Sequence, residues 1–143
     1  MVLQLNFPSS LGDEIVALRK QDTRNLGLSG WQSRPYTCQP FSWFDEVYRS
    51  VEQHLGTIDS FWFNVNAQGE GTGWHSHSRY QTVAVLYISV PSGDIEFKDG
   101  ASYWCETPKL GELLVFPGKL DHRVRPNDST EQRISVAFNF KGK

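Results

Sequence analysis

Three histidines and one arginine are the residues of this sequence whose types and spacing could do chemistry. His75 and His77 stand two residues apart, His122 follows 45 residues later, and Arg133 follows 11 residues beyond that. Imidazole binds iron, zinc, copper and nickel. The planar guanidinium of an arginine binds a carboxylate through two hydrogen bonds. Together the four residues indicate a metal centre beside an anchor for a carboxylate.

Short β-rich runs surround these residues and predict the strands that position them. Clusters of turn-forming residues separate the runs, a pattern typical of a β-sandwich or a jelly-roll barrel. The predicted strands are residues 60–66, 82–90, 94–99, 112–116, 122–126 and 133–140. The sequence therefore predicts a mainly β fold, with two N-terminal helices that buttress the outer face of the barrel.

The first of these helices follows a short strand. Residues 2–7 alternate in polarity, and Ser9 or Ser10 then caps a helix that runs to Lys20. Its apolar side chains recur at helical spacing, which predicts one buried face. Glycine and proline residues predict a loop over residues 23–40.

The second helix is predicted from Ser42, as its cap, to Gly56. Acidic residues in its first turn and a glycine at its end suit the helix dipole and a left-handed C-cap. His54 lies in the last turn, and we interpret it as a partner of the dipole, not as a ligand.

The three remaining histidines are predicted to share one pocket. Alternate residues of a regular strand point to the same face, so His75 and His77 would both face the barrel interior. His122 stands where a new strand begins and would supply a third ligand. The alternative is that these are ordinary structural or exposed histidines, because a single pair with this spacing is a weak signal.

Arg133 and Ser135 share the more polar face of the last predicted strand. We expect them to point into the pocket, beside the strand that begins at His122. A buried arginine is costly unless it is paired, and a small dicarboxylate would supply the partner. The alternative is a surface salt bridge from Arg133 to Glu131 or Glu112.

Size and composition exclude several classes of protein. A chain of 143 residues is expected to form one domain, residues 1–143, and 38% hydrophobic content is enough for a core without disulfides. The net charge of −2 predicts no nucleic-acid partner and no binding to anionic membranes. No apolar run approaches the roughly 20 residues of a membrane span.

Two cysteines and an unremarkable N-terminus favour a cytoplasmic location. Cys38 and Cys105 stand far apart in the sequence, so we expect two free thiols, partly buried by packing. The first ten residues have neither the basic segment nor the apolar segment of a secretory signal. Exposed edge strands of a small barrel would also allow a homodimer.

The order of the motifs resembles that of the 2-oxoglutarate- and Fe(II)-dependent oxygenases. The motifs are HSH at 75–77, LYISVP at 86–91, GDIEF at 93–97, PKLGELLVFPGKLDH at 108–122 and RISVAFN at 133–139. With GWQS at 30–33, the chain is most similar to a small bacterial and phage subgroup, over about residues 24–140. The resemblance implies a double-stranded β-helix, the jelly roll that cupins share.

The resemblance also implies a catalytic centre. It makes His75, His77 and His122 the ligands of Fe(II), and it places Arg133 on the distal carboxylate of 2-oxoglutarate with Ser135 beside it. The implied reaction uses O2 and 2-oxoglutarate, releases succinate and CO2, and hydroxylates an unactivated C–H bond. The substrate, a small molecule or a peptide, is not readable from the sequence.

Two further residues match positions where such oxygenases place hydrogen-bond donors to the co-substrate. They are Asn64, in the strand before the histidine pair, and Tyr87, in the strand after it. For Tyr87, plain core packing is the alternative, since its strand is apolar.

The sequence departs from the family at the second ligand. His77 stands where an aspartate or glutamate is usual, so the site is more positive by one charge. We expect Asp121 to point away from the site and Glu70 to support a histidine.

One alternative is a cupin-type three-histidine enzyme without 2-oxoglutarate, and another is a non-catalytic jelly-roll binding module. Residues 20–40 are predicted to form a flexible lid over the pocket.

Overall fold

The computed structural model describes residues 1–21 and 30–142. Those residues form two α-helices, one 3-10 turn and nine strands. In chain order these are β1 (Val2–Gln4), α1 (Leu11–Gln21), β2 (Trp31–Gln32), the 3-10 turn (Ser42–Phe44), α2 (Asp45–Leu55), β3 (Ile58–Asn66), β4 (Thr82–Ser89), β5 (Ile95–Asp99), β6 (Ser102–Glu106), β7 (Glu112–Pro117), β8 (Asp121–Val124) and β9 (Arg133–Phe140).

The strands form two antiparallel sheets. The large sheet has the order β1-β7-β4-β9-β3-β2, and the small sheet has the order β6-β5-β8. Strand β9 therefore lies in the middle of the large sheet, between β4 and β3. Most spatial neighbours are distant in the sequence, so long-range pairing brings the last strand beside strands from the middle of the chain.

The two helices cover one face of the large sheet. Along β9, Ile134, Val136 and Phe138 point to this face, where they meet the buried side chains Leu11 and Ile15 of α1. Helix α2 contributes its own buried side chains and closes the same core. Fully burying each such large apolar side chain contributes ~1.5–3 kcal/mol. The predicted buttressing helices are confirmed.

The opposite face of the large sheet packs against the small sheet. Val83 and Tyr87 of β4 and Phe116 of β7 form a second core with Ile95 and Phe97 of β5. Because alternate residues of a strand face opposite sides, β9 sends Arg133 and Ser135 toward this inner space. The two sheets thus enclose the region in which the candidate site lies.

Most predicted elements are present, although several differ from the prediction in their bounds. The first strand ends at Gln4 instead of residue 7. The second helix is preceded by a 3-10 turn over Ser42–Phe44, and its N-cap is Phe44 without a side-chain hydrogen bond, so the predicted cap at Ser42 is wrong. The fragment β2 lies inside the predicted loop 23–40, of which residues 23–29 lie outside the described residues.

Strand β6 was not predicted. Its residues are all exposed, so neither face shows the apolar alternation that marks a half-buried strand. It pairs with β5 through a tight hairpin in which Gly100 has a φ of 58°. The predicted burial of the two cysteines is also wrong, since Cys38 and Cys105 are free and exposed.

Neither helix in the described part of the chain has the length and apolar composition that crossing a membrane requires.

Candidate metal centre and anion pocket

The three histidines predicted as ligands come together in the structure. Within the group of His75, His77 and His122, one ring nitrogen of each lies within 4.8 Å of the others, a separation that could hold a metal ion. The His75 and His122 backbones form an isolated antiparallel bridge, with N–O distances of 3.0 and 2.9 Å. The His77 amide donates to Gly118 O at 2.7 Å. The convergence is as predicted, although residues 75–77 do not form a regular strand.

Backbone carbonyls orient two of the imidazole rings. His75 Nδ1 lies 2.8 Å from Gly73 O, and His122 Nδ1 lies 3.0 Å from Leu120 O. A carbonyl can only accept, so each Nδ1 donates, and in the neutral ring the Nε2 keeps its lone pair. Metal-binding histidines in proteins are usually oriented by such a bond from the other ring nitrogen.

Burial keeps two of these histidines neutral. Loss of solvent lowers the pKa of His122 to about 4, although the contact with Leu120 O opposes this shift. Burial also lowers the pKa of His77 to about 4, and His75 adds to that effect. Both side chains are therefore uncharged near neutral pH, the form in which imidazole binds a metal.

Arg133 is buried on the inner face of the large sheet, with 2% of its surface exposed. Its Nη1 donates to Ser92 O at 3.1 Å and to Arg125 O at 3.0 Å, and its Nη2 donates to Glu70 O at 3.3 Å. These bonds use three of the five guanidinium N–H groups and leave two for a ligand. None of the three acceptors is a carboxylate, so the positive charge is not neutralised by them.

Gly93 and Asn127 build the socket of Arg133, and sequence reasoning missed both. A Cβ at Gly93 would lie 1.6 Å from Arg133 Nη1, and its φ of 103° also favours glycine. Asn127 is fully buried; its backbone N donates to Glu70 O and its Oδ1 accepts from Ser92 Oγ, so it fixes two of the residues whose carbonyls bind Arg133. Asn127 stands in a run of turn residues, where no local pattern signals that a side chain will be buried.

Three more predicted residues form one polar row across the inner face of the large sheet. Ser135 of β9 is the register partner of both Asn64 on β3 and Tyr87 on β4. Asn64 Nδ2 donates to Ser135 Oγ at 3.4 Å. The row lies two residues along β9 from Arg133 and lines the same cavity.

Tyr87 is the unsatisfied member of that row. Its side chain is 5% exposed, and its hydroxyl has no hydrogen-bond partner among the described residues. Burial raises its pKa, and the nearby Arg133 guanidinium opposes that shift. The hydroxyl therefore stays protonated and can donate to an anion that reaches Arg133.

One cavity of about 430 Å³ joins the histidines to Arg133 and the polar row. Trp62, Trp74 and Phe116 line it. The ring of Trp62 lies 5.6 Å from that of His77, and the ring of Phe116 lies 4.9 Å from that of His122. The cavity thus places a polar anion pocket and a histidine cluster within one aromatic-walled space.

Three expectations about the surroundings of the site are corrected. Arg133 forms no surface salt bridge with Glu131 or Glu112, because it is buried and bound to carbonyls. It also does not lie beside the strand of His122, since β9 and β8 belong to different sheets. Glu70 does not support a histidine: its carboxylate accepts from Ala67 N at 2.6 Å.

Two interpretations of neighbouring residues agree with the structure. Asp121 is exposed, pairs in register with Lys98 and does not belong to the histidine cluster. The Nδ1 of His54 lies 2.8 Å from Ser50 O within α2, away from the cluster.

The two antiparallel sheets and the histidine cluster define a jelly-roll protein with a candidate metal site. Residues 94–139 match the family model described as "Putative 2OG-Fe(II) oxygenase". That segment includes His122, Arg133 and Ser135 and is shorter than the resemblance seen over residues 24–140. The predicted resemblance to the 2-oxoglutarate/Fe(II) oxygenases is confirmed, and that family implies an oxidoreductase that uses Fe(II) and 2-oxoglutarate.

Solved structures support the same fold. A prolyl-4-hydroxylase from Pseudomonas putida is 17% identical to this chain, with a TM-score of 0.73. The match covers 99% of this chain and 92% of the hydroxylase chain. A 2OG-Fe(II) oxygenase family oxidoreductase from Burkholderia pseudomallei is also 17% identical, with a TM-score of 0.55. That match covers 64% of this chain and 50% of the oxidoreductase chain. None of the curated proteins compared with the chain matches it in sequence. The predicted double-stranded β-helix is confirmed.

The residues present fit the two groups that the family implies. Two of the three imidazoles offer an Nε2 lone pair, and all three histidines converge on one point, as a divalent metal requires. A buried guanidinium with two unused donors and an unpaired tyrosine hydroxyl suit the far carboxylate of 2-oxoglutarate. Both parts of the fit rest on donor chemistry seen in this structure.

Proposed function

We propose that the protein is an Fe(II)- and 2-oxoglutarate-dependent oxygenase that hydroxylates a small molecule or a peptide. One observation carries the proposal: a converging histidine triad and a buried arginine with unused donors share a single cavity. A metal-binding protein without a dicarboxylate co-substrate would have no need of the second feature.

The triad of His75, His77 and His122 would hold the metal. Their Nε2 atoms would bind it from one side, because Nδ1 is already engaged in two of the three rings. When bound, Fe(II) and 2-oxoglutarate would supply electrons that activate O2, and O2 would be the oxidant that hydroxylates a C–H bond.

Arg133 and its neighbours would hold the far end of 2-oxoglutarate. The two spare N–H groups of Arg133 would bind its distal carboxylate, and the Tyr87 hydroxyl would donate a third hydrogen bond. Ser135 and Asn64 would line the path between that carboxylate and the metal. The aromatic walls would limit the access of water.

The test is turnover of 2-oxoglutarate, measured as succinate formed by the purified protein with Fe(II) and O2. His122→Ala should abolish it, because the buried third ligand is lost. Arg133→Ala should raise the KM for 2-oxoglutarate at least about 30-fold, since truncating one partner of a buried charge pair costs ~2–5 kcal/mol. Arg133→Lys keeps the charge and guards against a folding defect, but lacks the planar fork and should also raise the KM.

His54→Ala is the matched control, because His54 lies on α2 outside the triad. It should leave succinate formation unchanged. If His122→Ala and both Arg133 variants also leave it unchanged, the proposal is wrong.

The histidine cluster contains no carboxylate. This observation favours one alternative, a cupin-type three-histidine enzyme. Calorimetric titration with 2-oxoglutarate distinguishes the alternatives. An oxygenase should bind 2-oxoglutarate tightly only when metal is present. A cupin-type enzyme should bind metal but not 2-oxoglutarate, and a non-catalytic binding module should bind its ligand regardless of metal.

The first substrate to try is a proline-containing peptide, because the Pseudomonas putida structure is named a prolyl-4-hydroxylase. Stimulation of succinate formation by such a peptide would identify the substrate class. Small metabolites are the next group, since the cavity of about 430 Å³ must also hold the co-substrate.

Several other expectations stay predictions. They are a single domain over residues 1–143, a cytoplasmic location, a homodimer and no nucleic-acid partner. Two exposed free thiols, Cys38 and Cys105, support a reducing compartment. The exposed edge strand β6 supports pairing between two copies of the chain.

A further inference from the structure

The segment that carries His75 and His77 has little regular secondary structure to hold it. Residues 72–77 form no strand, and His75 takes part only in the isolated bridge to His122. Thr72 N donates to Val124 O at 3.0 Å and its Oγ1 accepts from Val124 N at 2.9 Å, while His77 N donates to Gly118 O at 2.7 Å. Two of the three proposed ligands therefore lie on a short stretch of chain that isolated hydrogen bonds, and no strand ladder, hold in place.

Trp74 supplies a further contact from the residue next to His75. Lys98 Nζ lies 4.4 Å from the centroid of the indole ring, and Arg123 Cζ lies 4.7 Å from it. The ring of Tyr103 approaches it edge-on at 6.3 Å. A cation over an aromatic face is attracted by the ring quadrupole, so one cation from β5 and one from β8 hold the indole against the outer face of the small sheet.

Glu96 fixes the arginine of this arrangement. Its carboxylate is fully covered and accepts hydrogen bonds from Tyr103 Oη, Arg123 Nε and Arg125 Nε, the last at 2.7 Å. These bonds tie β5, β6 and β8 together on the outer face of the small sheet. Arg123 thus meets Trp74 from a fixed position.

We propose that Trp74 is a positioning residue for the metal centre. The tryptophan clamp, formed by Trp74, Lys98, Arg123, Glu96 and Tyr103, holds residues 74–77 in the conformation in which their two histidines meet His122. Without the clamp, metal binding must also order this segment, which lowers the affinity. The inference rests on the proposed metal centre and does not depend on 2-oxoglutarate.

The experiment measures binding of Co(II) alone to the full chain, by calorimetry and by the visible absorption of the bound ion. Trp74→Leu should weaken Co(II) binding about tenfold, at the low end of what losing a ligand's supporting partner costs. Trp74→Phe keeps an aromatic face and should restore most of the affinity. Arg123→Gln removes one cation and should give an intermediate loss.

Trp43→Leu is the matched control. Trp43 packs in the core between the helices and the large sheet, so its loss should lower the unfolding temperature without changing Co(II) affinity. Melting of each metal-free variant separates a folding defect from a weakened site, and the Trp74→Phe and Arg123→Gln variants carry the test if Trp74→Leu does not fold.

The outcomes separate the two proposals. If Trp74→Leu binds Co(II) as tightly as the wild type, or if Trp74→Phe is as weak as Trp74→Leu, the clamp is wrong while the metal centre stands. If the wild-type protein binds no Co(II), the metal centre fails and the clamp fails with it.

Discussion

His77 sets the charge of the proposed centre. With three neutral imidazoles, a divalent metal keeps both of its charges, and 2-oxoglutarate carries two negative charges. Adding the guanidinium of Arg133 gives 2 − 2 + 1 = +1 for the complete site. A carboxylate in place of His77 would make that sum zero, so this chain should hold an anionic co-substrate in a more positive pocket than relatives with the usual ligand set.

Tyr87 offers the sharpest test at the scale of one residue. Its buried hydroxyl lacks a partner, so Tyr87→Phe should raise the free energy of unfolding of the ligand-free protein by ~1 kcal/mol. The same change should weaken 2-oxoglutarate binding about tenfold, because a hydrogen bond to a charged group is lost. Urea denaturation measures the first effect, and calorimetry in the presence of metal measures the second.

Tyr48→Phe is the control for Tyr87→Phe, because Tyr48 packs on the helix side of the large sheet. It should leave 2-oxoglutarate affinity unchanged. A Tyr87→Phe protein that is less stable and binds 2-oxoglutarate normally would show that Tyr87 is a packing residue only.

Each sheet contributes a different half of the site. The small sheet carries His122 on β8, and the large sheet carries Arg133 on β9. Loops complete both halves: the carbonyls of Ser92, between β4 and β5, and of Glu70, between β3 and β4, bind the guanidinium, and the β3–β4 segment also carries His75 and His77. The anion pocket is therefore sensitive to the loops, whereas the histidine cluster is sensitive to the outer face of the small sheet.

Glu96 gives that outer face a pH dependence. The hydrogen bond from Tyr103, together with those from Arg123 and Arg125, lowers the pKa of Glu96 from 4.5 to about 2, although burial opposes the shift. A lowered pKa means that the folded protein favours the charged carboxylate, so this stabilisation is present above pH ~4.5 and is lost as the pH falls toward 2. Glu96→Gln should lower the melting temperature at pH 7, and the difference from wild type should vanish near pH 2.

Glu106→Gln is the control on the same sheet, because Glu106 is exposed on β6. Its melting curve should follow that of the wild type from pH 7 to pH 2. A difference between wild type and Glu96→Gln that stays constant with pH would contradict the role of the Glu96 carboxylate.

At the scale of the whole molecule, side-chain alternation made most of the fold predictable. The pattern of residues 133–140 placed Arg133 and Ser135 on the inner face because a strand has only two faces. Helix spacing in residues 42–56 likewise identified the outer layer. The histidine spacing then predicted the cluster, even though residues 75–77 reach it through a bridge and not along a strand.

Long-range pairing explains what could not be predicted. No local pattern predicts that β9 lies between β3 and β4, so Arg133 was expected beside the strand of His122. Asn127 and Gly93 lie in loops that come together near Arg133 only in the folded chain. Strand β6 is exposed on both faces and therefore lacks the polarity signal of a strand.

The central claim is that one cavity holds a metal on three histidines and 2-oxoglutarate on Arg133. The most direct measurement is a crystal structure of the protein with Fe(II) and 2-oxoglutarate, prepared without O2, with anomalous data at the iron edge. The predicted result is an iron peak about 2.1 Å from a ring nitrogen of His75, His77 and His122. The far carboxylate of 2-oxoglutarate should lie about 2.8 Å from the Arg133 guanidinium. An iron peak without His77, or a co-substrate carboxylate away from Arg133, would contradict the account.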